Sequence, residues 1–213
     1  MRRMLAVATL CGIVAFPQSG GASAPCAAKD SLQSVVTPRS GTAAVPSAEA
    51  GRKVWKTITL GQFANTFALR NALDAAGCGI GDLAAQILAR PAFVLSPAKV
   101  DVDLVVVSGA DLGTPTEPSL ADVYALAQAH GLALAPAEVG PLLRLQYLDQ
   151  PVGEFLHVGM SPINTWSGEP VILVLANGGA GLILIGTESS ANAKISATTP
   201  FLFIRPRLLA EER

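Results

Sequence analysis

Four side chains in this sequence combine reactive chemistry with close spacing: Glu138, Arg144, Glu154 and His157. His157 could act as a general base oriented by Glu154, with Glu138 nearby and Arg144 as the fourth candidate around the same pocket. That set describes a small hydrolase. A strand histidine on a wet face, or one hydrogen-bonded at a sheet edge, is the commoner account of a lone His such as His157. The other histidine, His130, stands directly before Gly131, where a partly charged imidazole suits the C-terminal end of a helix.

Other chemistries find less support in the spacing. Ser108 precedes Gly109 but lacks the glycine two positions earlier that a nucleophile elbow needs. It joins His157 only if the fold brings the two together. Cys78 lies between Gly77 and Gly79, where a nucleophilic thiol, an inert turn thiol and a disulfide partner are all readable. Its one intrachain partner after loss of a leader is Cys26. Asp101 and Asp103 share one strand face and could meet a divalent cation, though a solvated strand end explains the pair as well. No C-x-x-C or H-x-x-x-H spacing occurs, so no metal site and no cofactor are expected. The run Asn177-Gly178-Gly179-Ala180-Gly181 lies between two apolar segments and reads as a hairpin turn rather than a phosphate loop, which needs a helix after it.

The segment that would carry the four reactive residues runs from Pro136 to Ile163 and reads as a helix-to-sheet corner followed by a β-hairpin. Leu143, Leu145 and Tyr147 alternate with Arg144, Gln146 and Leu148 as in a strand. Asp149 to Gly153 form the turn, and the return strand runs from Glu154 to Met160. Upstream, Trp55 to Leu60 alternate as a strand. Asn65 or Thr66 caps a helix with the stripe Leu69, Ala72, Leu73 and Ala76, and a second helix carries Ile80, Leu83, Ala84, Ile87 and Leu88 up to Pro91. Phe93 to Leu95 and Val100 to Val107 read as strands. Ser119 and Asp122 have capping-box spacing for a helix with Leu120, Val123, Tyr124 and Ala127 on one face. Val171 to Ala176 and Gly181 to Gly186 form a second hairpin, and Phe201 to Arg205 is the last strand. The expected class is α+β: a two-helix hairpin and a further helix packed on a mainly antiparallel sheet with a C-terminal strand meander.

Several of these segments also resemble a family of small, uncharacterised bacterial proteins. The match runs through W-K-T-I-T-L-G at Trp55, I-G-D-L-A-A-Q-I-L-A-R-P-A-F at Ile80 and V-D-L-V-V-V-S at Val102. It continues through P-A-E-V-G-P-L-L-R-L-Q-Y-L-D-Q-P-V-G-E-F-L at Pro136 and closes on F-L-F-I-R at Phe201. The resemblance covers about residues 54–207 and implies a shared fold, with no activity attached. Ala135, Leu142 and Phe155 stand where the family pattern has Cys, Gln and Trp, so a mechanism resting on that Cys could not operate here.

At 213 residues the chain is long enough for one domain with a core and a tail. Half of it is hydrophobic and 15% is charged, too apolar for a disordered chain. Residues 1–24 read as a signal peptide: Arg2 and Arg3, an apolar run from Met4 to Phe16, then Ala22-Ser23-Ala24. Residues 25–52, rich in Ala, Ser, Pro and Gly, read as a disordered linker, 53–207 as a single α+β domain and 208–213 as a tail. The formal net charge is −1, and a leader that carries away Arg2 and Arg3 lowers it by two. With no Lys/Arg cluster, nucleic acid is excluded as a partner. The apolar run is too short for a spanning helix, so no transmembrane segment is expected after cleavage. The sequence therefore suggests an exported binding or structural domain, periplasmic or secreted. Its partner, another envelope protein or a small ligand, would contact a groove between the helical hairpin and the sheet. The His157 hydrolase is the alternative.

Overall fold

The computed structural model describes residues 25, 26 and 53–207, except 115 and 180. The expected signal peptide and the tail lie outside these residues, as does the linker beyond its first two positions. In chain order the elements are β1 (Lys56–Leu60), α1 (Thr66–Ala75), β2 (Gly79–Ile80), α2 (Asp82–Leu88), β3 (Val100–Ser108) and α3 (Leu120–Ala129). They continue with α4 (Val139–Gln146), β4 (Phe155–Val158), β5 (Ile163–Asn164), β6 (Pro170–Asn177), β7 (Leu182–Glu188) and β8 (Pro200–Arg205). The class is α+β.

All the strands join one mixed sheet in the order β1-β3-β8-β4-β6-β7-β2, with β5 beside β6. Most pairs are antiparallel; β8 runs parallel to β4, and β2 parallel to β7. The expected C-terminal meander is not formed. β8, the last strand of the chain, inserts between β3 and β4 instead of following β7. Its sequence, Pro-Phe-Leu-Phe-Ile-Arg, has Phe201, Leu202 and Phe203 buried on both faces, as a central strand requires.

The helices form near where local signals place them, except one, and Ile80, expected on the second helix, pairs with Leu184 in β2 instead. Asn65 accepts a hydrogen bond from the Ala68 amide at 2.9 Å and starts α1. Ser119 and Asp122 form a complete capping box at α3. The exception is Val139–Gln146, expected as a helix-to-sheet corner and strand and found as helix α4. Pro141 is tolerated because it falls in the first turn, where its missing N–H has no intrahelical partner. Val139, Leu142 and Leu143 then fall at the i, i+3, i+4 spacing of one buried face. The supposed hairpin with the strand at Glu154–Met160 is therefore a helix followed by a loop and β4. Phe93–Leu95, also expected as a strand, is irregular chain after a turn at Pro91–Ala92, which the Phe93 amide closes by donating to the Arg90 carbonyl at 3.0 Å. The two-helix hairpin gives way as well: α1 packs on α4, whereas α2 packs on β7 and β6.

α4 lies across the sheet, against β1, β6 and β7, and glycines permit the closest approaches. A methyl group at Gly140 would come within 2.8 Å of the Leu173 side chain, and one at Gly186 within 2.9 Å of the Ala84 backbone nitrogen in α2. The opposite face of the sheet carries Phe201 and Phe203, which α3 covers through edge-on contacts of Tyr124 with both rings. The main core thus lies in two layers, one on each side of the sheet.

Cys26 and Cys78 form a disulfide with Cα atoms 4.7 Å apart and a sequence separation of 52. A covalent loop of that length contributes about 4 kcal/mol in the chain-entropy account. The bridge sits in a small satellite core with Leu73 and Leu182, so the first residues of the expected linker belong to the folded unit.

Candidate functional site

The four reactive residues go to three separate places. Glu138 stands at the N-terminal end of α4, 1% exposed. Its carboxylate accepts hydrogen bonds from the Ser96 amide at 3.0 Å, the Ser96 hydroxyl, and the Gly61 amide at 3.4 Å. Gly61 has φ +66° and faces the Ala98 carbonyl so closely that a Cβ would stand 2.2 Å from its oxygen. Only glycine fits there, and Glu138 fastens that turn to the loop before β3. A carboxylate at a helix N-terminus is also favoured by the helix dipole.

Arg144 and Glu154 meet at the other end of α4 through Tyr147. The Tyr147 hydroxyl donates to Glu154 Oε2 at 2.8 Å, and burial together with that carboxylate raises the phenol above its ordinary range. Arg144 is fully buried. It donates to the Gln150 side-chain oxygen and the Tyr147 carbonyl, while its Nε has no partner. Burial pushes its pKa down to about 10, against the opposing pull of Tyr147 and Glu154. Gln150 carries the network on, donating to the Glu154 carbonyl at 3.2 Å and the Leu175 carbonyl at 3.0 Å. The surface beyond is aromatic: the Trp55 and Tyr147 rings meet edge-on at 5.0 Å, with the Lys56 ammonium 5.8 Å from the Tyr147 ring.

His157 stands on the opposite face of the sheet. Alternation along β4 sends Leu156 and Val158 to the α4 side, and Glu154 shares that side with them. His157 points the other way, in register with Phe201 and Val174. The structure does not bring it together with Glu138, Arg144 or Glu154. Its ring lies 5.3 Å from that of Phe201, and its Nδ1 is buried without a hydrogen-bond partner. Burial lowers the imidazole pKa, with the Phe155 and Pro200 carbonyls pulling weakly the other way. The ring is therefore neutral at neutral pH, able both to donate and to accept.

His157 lines a cavity of about 270 Å³ whose floor is Ile172 and Phe201 and whose wall is the segment from Ser189 to Thr199. Thr187, Ser196 and Thr199 add hydroxyls, and Glu188 and Lys194 stand at the rim without an ion pair between them. Sequence reasoning passed over this wall because S-S-A-N-A-K-I-S-A-T-T has neither apolar period nor motif. The groove expected between the helices and the sheet is not where this cavity lies; near Gly186, α2 sits flush on β7. The arrangement suits hydrogen bonding to a small polar molecule over an apolar floor.

The remaining reactive residues are engaged locally. The Ser108 hydroxyl donates to Asp111 at 2.7 Å. Thr59 donates to Asp101 at 2.6 Å and Thr57 to Asp103 at 2.7 Å, which makes a cross-strand ladder of the two aspartates. Arg207 pairs with Asp103 at 2.9 Å and holds its carboxyl well below the usual carboxylate range, with Thr57 adding to the effect. Among the described residues no three His, Cys, Asp or Glu side chains are grouped as a metal site would need. No described helix is long and apolar enough to cross a membrane. No family model, curated protein or solved structure matches this chain.

Proposed function

We propose that the chain is an exported binding domain of the bacterial cell envelope, with a small ligand or another envelope protein as its partner and no catalytic step of its own. The observation that carries this reading is the Cys26–Cys78 disulfide. Such bonds persist in oxidising compartments, and this one lies just after a segment with the basic, apolar and small-residue order of an export leader. The cavity at His157, with hydroxyls over an apolar floor, supports the small-ligand reading. The hydrolase alternative needs His157 to work with Glu138 or Glu154, and the sheet separates it from both.

Fractionation of a bacterial host expressing the whole chain tests the reading. The expected product is periplasmic, begins at or before Cys26, and shows no free thiol at Cys26 or Cys78 on alkylation and mass spectrometry. A cytoplasmic product with Met1 intact and both thiols free would sink it.

A further inference from the structure

We infer that the His157 cavity takes one neutral, hydroxylated ring: a single pyranose sugar, free or at the end of a glycan. This rests on the small-ligand reading above and gives that ligand a chemical class. The floor is built by β8, β4, β6 and β7, which are neighbours in the sheet, on the face away from α4. His157 stands between Phe201 of β8 and Val174 of β6, and farther along β6 Ile172 stands opposite Thr187 of β7. The wall is fixed before any ligand arrives. Within the segment from Ser189 to Thr199, the Ile195 amide donates to the Pro118 carbonyl at 3.0 Å and the Ala197 amide to the Thr116 carbonyl at 3.1 Å. The Ala193 carbonyl accepts from the Leu120 amide at 3.0 Å. Backbone bonds to the chain entering α3 thus hold the wall along its length, and a ligand does not have to order it.

The polar groups divide into used and unused. Ser189 donates to the Thr187 carbonyl at 3.2 Å, and Ser196 shares a hydrogen bond with Thr198 at 2.9 Å. The Thr187 and Thr199 hydroxyls have no hydrogen-bond partner among the described residues, and neither has the buried His157 Nδ1. A hydroxyl both donates and accepts, and so does a neutral imidazole. Ligand hydroxyls match such a set without bringing a charge. Ile172 and Phe201 add an aliphatic and an aromatic surface, which suits the C–H face of a sugar ring.

Charge points the same way. Burial keeps the His157 imidazole neutral at neutral pH. Glu188 and Lys194 at the rim have opposite signs. Lys194 also acts on Asp122, whose carboxyl is held below its ordinary value by its hydrogen bonds with Ser119 and then by the Lys194 charge. Both rim residues are exposed, so water screens the field that remains. An ion entering the cavity would give up hydration for no fixed counter-charge inside. The volume of about 270 Å³ equals that of about nine waters in the liquid, room for one pyranose.

The experiment is a titration of the full chain at neutral pH, followed by amide nuclear magnetic resonance. At least one of D-glucose, D-galactose and D-mannose should bind with a millimolar Kd or tighter, shifting the Thr187, Lys194 and Thr199 amides and leaving β1 unmoved. The uronate and the 6-amino-6-deoxy form of that sugar keep the ring and add a charge, and each should bind at least about 5-fold more weakly. Thr187→Val keeps the side-chain shape and drops the hydroxyl, so it should weaken binding at least about 5-fold while the sheet spectrum is retained. The methyl glycoside separates the two sources: undiminished binding assigns the site to a glycan end, and loss of binding assigns it to the free sugar. If a charged form binds these amides as well as the neutral one, the sugar assignment falls while the small-ligand reading stands. If no sugar moves them at up to about 100 mM, the assignment falls, and export is judged apart from it by the fractionation above. Binding that is undiminished in both Thr187→Val and Thr199→Val places the sugar elsewhere and overturns the inference.

Discussion

Glu138 and Arg144 lie six residues apart on one helix, both buried, and their charges suit the ends they occupy. Their surroundings differ. Three donors converge on the Glu138 carboxylate, two of them backbone amides. Arg144 has neutral acceptors only, no carboxylate within ion-pair distance among the described residues, and an unpartnered Nε. One end of α4 is a saturated anion site; the other is a buried cation held by a carbonyl and an amide. The lesson is that burial by itself does not mark a reactive group. Glu138 is buried to join two loops, and Arg144 to close the C-terminal end of its helix over Gln150.

Mutations at the two ends test that contrast. Arg144→Ala should cost the most, about 3–5 kcal/mol by denaturant melting, since it strips volume and leaves the Gln150 and Tyr147 oxygens without their donor. Arg144→Met, which keeps the stem and removes a buried charge that has no ion-pair partner, should recover much of that loss. Glu138→Leu should cost about 1–3 kcal/mol because it orphans buried donors, and Glu138→Gln should be milder because an amide oxygen still accepts. If the apolar replacement is tolerated equally well at both ends, the contrast is wrong. Ser96→Ala sharpens the Glu138 end alone, with an expected loss of about 1 kcal/mol.

The smallest effect belongs to the other face of the sheet. The folded pKa of His157 lies below the ordinary 6.5, so near and just below that pH the unfolded chain binds more protons than the folded one. Stability should therefore rise with pH through that window and fall on acidification. Melts from pH 5 to pH 7.5 should show this slope in the parent and in the Arg144 and Glu138 variants alike. His157→Phe should flatten it. A slope that persists in His157→Phe would assign it to another group.

Much of this fold was legible because its signals are local. The Ser119–Asp122 box, the Asn65 cap and the glycine turn before Leu182 each depend on neighbours a few residues away. α4 was not legible, because Leu-Arg-Leu-Gln-Tyr alternates as a strand does while Val139, Leu142 and Leu143 keep a helical period. Tertiary placement across the sheet decides between the two. The place of β8 could not be read either, since no local pattern says which strand it will join. The separation of His157 from the other candidates has a simpler origin. Glu154 and His157 are three residues apart, and an odd separation in an extended segment sends two side chains to opposite faces. The cavity wall from Ser189 to Thr199 carries no signal of its own, and only the fold shows what it covers.

β8 also sets the order in which this molecule can be completed. It is the last strand among the described residues, and it fills the gap between β3, made about a hundred residues earlier, and β4. Until Pro200–Arg205 is available, β3 and β4 present bare edges to each other across an empty lane, and β1 pairs with a strand that has no second neighbour. The sheet therefore cannot close before Pro200–Arg205 has been made, and that closure is non-local and slow.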